Sequence, residues 1–98
     1  MENPNQYINN MTDGATAGYR YFDLQTAKAI SIFVRGSATG AVTVRKEKDG
    51  PEIARIPVAS SREWNTYTAP LDYEPGVAAL YFTYTGPGFL DFNSFTFD

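Results

Sequence analysis

Trp64, Asn65 and Tyr67, then Tyr81 and Tyr84, then Asp91 and Asn93 set aromatic rings beside amides and a carboxylate along one stretch of the chain. A sugar surface needs that mixture. A flat ring covers the apolar C–H face of a pyranose, and amides or carboxylates hydrogen-bond its hydroxyls. Trp64 follows the polar run Ser60-Ser61-Arg62-Glu63. At such a loop–strand junction a tryptophan is either a core plug or an exposed platform, and composition leaves both open. Tyr19 and Tyr21 alternate with Phe22 and Leu24, which are expected to face the core; the two tyrosines are then expected to point away from it. Asp91 and Asn93 share the strand face opposite Leu90 and Phe92. The phenylalanines at 22, 82, 92, 95 and 97 read as core.

Other chemistries are poorly supplied. The chain has 98 residues with no histidine and no cysteine. That removes the commonest general base, serine–histidine and cysteine–histidine nucleophile systems, disulfides and thiolate metal sites. A glycosidase needs two carboxylates about 5–10 Å apart in a cleft. Asp49, Glu52, Glu63, Asp72 and Glu74 lie beside turns instead, as a solvated rim would, so no catalytic constellation is expected. No EF-hand spacing occurs. The loop Asn9-Asn10-Met11-Thr12-Asp13-Gly14 reads as a turn. Net charge is −3, with 8 basic and 11 acidic groups, and the basic ones are scattered. A nucleic-acid partner would need a clustered positive stripe, so none is expected. No apolar run approaches the ~18 residues of a membrane span, so no membrane partner is expected either.

The elements that must position these groups are short strands. Residues 1–17 are polar and rich in asparagine and read as an arm and a loop. From Gly18 to residue 98, about seven strands follow at roughly ten-residue spacing, separated by Arg35-Gly36-Ser37, Lys48-Asp49-Gly50-Pro51, Glu74-Pro75-Gly76 and Gly86-Pro87-Gly88. No segment holds a helical period. This predicts an all-β domain, an antiparallel sandwich or barrel. Phe92 and Phe95 differ by three, which breaks strict alternation and predicts a bulge near Asn93-Ser94.

Five segments in this order resemble the family 6 carbohydrate-binding modules. Val42-Thr43-Val44-Arg45 resembles the family's strand of alternating valines. Ile53-Ala54-Arg55-Ile56-Pro57-Val58 is similar to its gxixVP segment, and Trp64-Asn65-Thr66-Tyr67 to its W-Q-x-W. Glu74 to Phe82 is similar to its xaGxhtLxlxF, and Gly88 to Phe97 to its closing gfNldxfxF. Gly14 to Asp23 also resembles modules fused behind family 43 glycoside hydrolases, the β-xylosidases and arabinofuranosidases.

The resemblance implies a β-jelly-roll, an antiparallel sandwich with a sugar site in loops at one end. It implies a non-catalytic module that holds a glycosidase near oligosaccharide or polysaccharide of plant type, such as xylan or arabinoxylan, outside the cytoplasm. Two aromatics and an asparagine form the family's usual site. By resemblance these fall on Trp64, on Tyr21 (or Tyr19), and on Asp91 with Asn93 two residues later; Tyr67 stands at the family's second tryptophan. Asp91 in place of an amide accepts hydrogen bonds but, as a carboxylate, donates none. The family's opening strand, with its E-A-E pattern, has no counterpart before Tyr7. No cofactor is expected, and the resemblance leaves a structural calcium open, because that strand helps to hold it in the family. An uncovered sheet edge would offer a route to dimerisation by strand addition. The alternative role is a structural accessory sandwich that packs on the glycosidase domain and binds no sugar alone. An unrelated adhesion domain is a third.

Overall fold

A computed structural model describes residues 8–23, 27–47, 50–72 and 76–97. Eight strands run in chain order: β1 Ile8–Met11, β2 Thr16–Asp23, β3 Ala29–Gly36, β4 Ala41–Arg45, β5 Glu52–Pro57, β6 Ser61–Pro70, β7 Val77–Thr85 and β8 Leu90–Phe97. They form two four-stranded sheets, β1-β8-β3-β6 and β2-β7-β4-β5, and every pairing is antiparallel. The protein is a β-sandwich of jelly-roll type. Among the described residues no helix is long and apolar enough to cross a membrane.

The period of two decides which side of each strand is buried. In β3, Ile30, Ile32 and Val34 are buried at 1% exposure or less, whereas Phe33 between them is 36% exposed. In the facing sheet Val42, Val44, Ile56, Leu80, Phe82 and Tyr84 are wholly buried. Burial of each such side chain contributes about 1.5–3 kcal/mol, which makes this interior the main stabilising element. Phe82 sits at its centre, with ring centroids 5.1 Å from Phe92, 4.8 Å from Phe95 and 5.7 Å from Tyr19. Phe82, Phe92, Phe95 and Phe97 are thus core or packed on it, as expected; the side chain of Phe22 lies outside the described residues.

Two expectations meet a different outcome. Ile8–Met11 is a strand, not part of an arm or loop: it pairs with β8 and plants Met11 in the core at 2% exposure. A short apolar signal, Ile8 and Met11 in a polar segment, was enough because β8 offered an edge. Tyr19 faces inward and packs on Phe82, Phe92 and Phe95. The register of β2 on β7 slips between Tyr19 and Phe22, so the face of one does not predict the face of the other. On β8, Asp91 pairs with the outward Arg35, on the side opposite Leu90 and Phe92 as expected, and is itself buried. The bulge near Asn93 is present: Val34 pairs with Phe92 and Phe33 with Ser94, which leaves Asn93 as the extra residue.

Candidate functional site

Sheet β1-β8-β3-β6 presents Ser31, Phe33 and Arg35 on its outer side, because their neighbours in β3 point inward. Ser31 exchanges a 2.7 Å hydrogen bond with Thr68 of β6. Farther along, Phe33 stacks on Trp64 with centroids 5.5 Å apart and planes 26° from parallel. The Arg35 guanidinium lies over the Trp64 ring, 4.4 Å from its centroid, a favourable cation–π arrangement. Arg35 Nε donates to Asp91 Oδ2 at 3.3 Å. Trp64 is half-buried, neither a core plug nor a bare platform.

Two bulges create this cluster. Val34 pairs with Asn65 and Gly36 with Ser61, so Arg35 alone faces three residues of β6: Arg62, Glu63 and Trp64. Ser61 stitches the excess. Its hydroxyl accepts from Glu63 N–H at 3.1 Å and donates to Glu63 O at 3.0 Å. The second bulge is in β1, where Asn10 adopts φ 56°, a conformation that asparagine tolerates. Its N–H turns to Asp91 Oδ1 at 3.0 Å. Asp91 therefore holds one N–H that a bulge removed from the ladder and one guanidinium, and it is 8% exposed.

Beside the cluster opens a pocket of about 360 Å³ lined by Arg35, Ser37, Ser60, Arg62, Phe89 and Asp91 among others. Its floor is rigid. Ala38 N–H donates to Phe89 O at 2.9 Å, and Phe89 N–H donates to Ser37 Oγ at 3.1 Å. Gly88 has φ 80°, and a Cβ there would come within 2.6 Å of Ser37 O, so only glycine fits. Beneath, the buried Tyr84 hydroxyl accepts from Thr39 N–H and Gly40 N–H at 3.2 and 3.1 Å and donates to Pro87 O. A smaller groove of about 220 Å³ lies along the same outer face between Ser31, Phe33, Thr66, Ser94 and Thr96.

Of the residues singled out from sequence, the structure brings Trp64 and Asp91 together, with Arg35 between them. Tyr67 lies on the inner side of β6, three positions from Trp64, where its hydroxyl donates to Ala59 O at 3.2 Å. Tyr19 is in the core. Asn93 is half-buried in its bulge and lines neither pocket nor groove. The side chain of Tyr21 lies outside the described residues. Its backbone sits on β2 between Tyr19, opposite Leu80, and Phe22, opposite Ala78. The pocket is at the other end of β7, past Thr85, roughly 20 Å of strand away. Phe33, Arg35 and Asn10 were missed. The alternation of Ser31, Phe33 and Arg35 with three aliphatic residues was a legible sign that Phe33 points outward.

Among the described residues no three histidine, cysteine or carboxylate groups gather to hold a metal ion.

Comparison with known proteins defines the class. The model of carbohydrate binding module family 6 matches residues 2–98, so the chain belongs to that family of non-catalytic sugar-binding modules. A xylosidase/arabinosidase of Thermoclostridium stercorarium is 42% identical over 90 residues, covering 92% of this chain. The chain spans only 19% of that relative's length. Among solved structures, a family 6 module from Clostridium cellulolyticum in complex with xylose superposes with a TM-score of 0.83 at 18% identity, covering 94% of this chain and 78% of the other. A Clostridium stercorarium module in complex with cellobiose gives 0.82 at 18% identity, covering 92% and 71%. A glycoside hydrolase family 43 arabinoxylan arabinofuranohydrolase from Bacillus subtilis gives 0.84 at 20% identity, covering 95% of this chain and 21% of the enzyme.

Proposed function

We propose that the chain is the polysaccharide-binding module of a family 43 glycoside hydrolase and that it takes xylan or arabinoxylan on the face bearing Trp64. One observation carries the reading: the Phe33–Trp64 stack stands on an outer sheet face directly beside a pocket lined by serine hydroxyls and the Arg35 guanidinium. Phe33 and Trp64 supply the ring surface for pyranose C–H groups. Arg35, held in place by Asp91, and the pocket serines supply hydrogen bonds to hydroxyls. Asp91 acts by positioning Arg35 and not as a bare acceptor. Tyr19 and Tyr67 hold the sandwich. Similarity to a xylosidase/arabinosidase supports the parent activity and the substrate class. The accessory-only role is not favoured, because the Trp64 face is half-open and lies beside a pocket.

Affinity is expected to be modest, because a shallow site gains little beyond stacking and a few hydrogen bonds. Calorimetric titration with xylohexaose should give a saturable heat with a dissociation constant below about 1 mM. No heat at millimolar ligand sinks the reading. Binding in this scheme needs no cofactor, so treatment with a chelator should leave the affinity unchanged.

A further inference from the structure

The pocket carries a charge that a neutral sugar does not need. Its charged lining groups among the described residues are Arg35, Arg62 and Asp91. Asp91 is committed twice over, to Asn10 N–H and to Arg35 Nε. Arg62 is exposed and enters none of the ion pairs found among the described residues. Two guanidinium groups thus face one carboxylate, in a chain whose net charge is −3. The β6 bulge is what turns Arg62 to the pocket, and Ser61 fixes that bulge with two hydrogen bonds. A planar guanidinium pairs with a carboxylate through two parallel N–H donors, and such charge-assisted bonds are about twice as strong as neutral ones. Phe89, which lines the same pocket, is 37% exposed and offers an apolar surface for a ring.

We propose that this pocket selects a uronic acid unit of an acidic glycan, with Arg62 binding the sugar carboxylate and Phe89 covering the ring. This rests on the glycan-binding reading above and adds the anionic class of ligand. On a xylan-type polymer the unit would be a glucuronic acid branch, seated in the pocket while the neutral backbone lies on Phe33 and Trp64.

The experiment compares two oligosaccharides of the same xylose backbone length, one unbranched and one bearing a single glucuronic acid. Calorimetric titrations are run on the wild type and on Arg62→Gln, at low and high sodium chloride. The wild type should bind the acidic sugar about tenfold more tightly at low salt. That margin should shrink at high salt, where exposed charges are screened. Arg62→Gln should lose the margin and keep the neutral affinity, and because Arg62 is exposed its thermal midpoint should match the wild type. Equal affinities in the wild type, or a margin that survives in Arg62→Gln, overturn the proposal while leaving the glycan reading intact. If neither sugar binds, the glycan reading fails and this proposal falls with it.

Discussion

The two outer faces of the sandwich start from the same rule and end differently. Each belongs to a four-stranded antiparallel sheet whose inner side is core, so each should be polar outside. On sheet β2-β7-β4-β5 the charges satisfy one another. Glu52 pairs with Arg45 at 3.5 Å and with Arg55 at 3.0 Å, and Arg45 also donates to Thr43 Oγ1 and Gly50 O. The Tyr81 ring packs against Gly18. On sheet β1-β8-β3-β6 the end near Gly36 gathers an aromatic stack, two guanidinium groups and a pocket. Composition does not separate these faces, since both hold arginine, carboxylate and aromatic rings. The placement of the bulges does. The second sheet is interrupted too, in β2 and between Val44 and Arg45, but there the charges stay paired. In the first sheet the excess in β6 and the turned Asn10 in β1 fall at one sheet end and re-aim side chains toward one another beside the pocket.

Substitutions can break this contrast in a graded way. The largest effect should come from Phe82→Ala, which empties the space between the sheets and removes both faces together. A loss of about 3–5 kcal/mol is expected in urea denaturation. Next comes Trp64→Ala, which should weaken xylo-oligosaccharide binding at least about thirtyfold by calorimetry. Tyr81→Ala on the opposite face should leave it unchanged; equal losses from the two variants would erase the functional difference between the faces. Removing a carboxylate sharpens the comparison on stability. Asp91→Ala leaves Asn10 N–H and Arg35 without their acceptor in a covered site, and should cost about 1–3 kcal/mol. Glu52→Gln breaks a more exposed pair and should cost under about 1 kcal/mol. Ser61→Ala should have the smallest effect on folding, about 0.5 kcal/mol or less, because its bonds are local and exposed. It should still loosen the β6 bulge, visible as faster amide exchange at Glu63 and Asn65.

Much of this was legible from residues alone. Alternation in Val42 to Arg45 and in Leu80 to Tyr84, turn residues every ten positions and the missing helical period specified an all-β sandwich, because a strand buried on one face must repeat every two residues. The three-residue gap from Phe92 to Phe95 foretold the β8 bulge, since two inward rings cannot otherwise be an odd number apart. Trp64 and Asp91 were identified through local pattern.

The tertiary structure decided which groups meet. Nothing in the order of the chain says that Arg35 lies between Trp64 and Asp91, because strand register across β6, β3 and β8 is set by long-range pairing. Nor could alternation place Tyr19, since a one-residue slip in β2 reverses the faces beyond it. A strand's own pattern records which sides differ; only its neighbours determine where that pattern is interrupted, and in this protein the interruptions build the site.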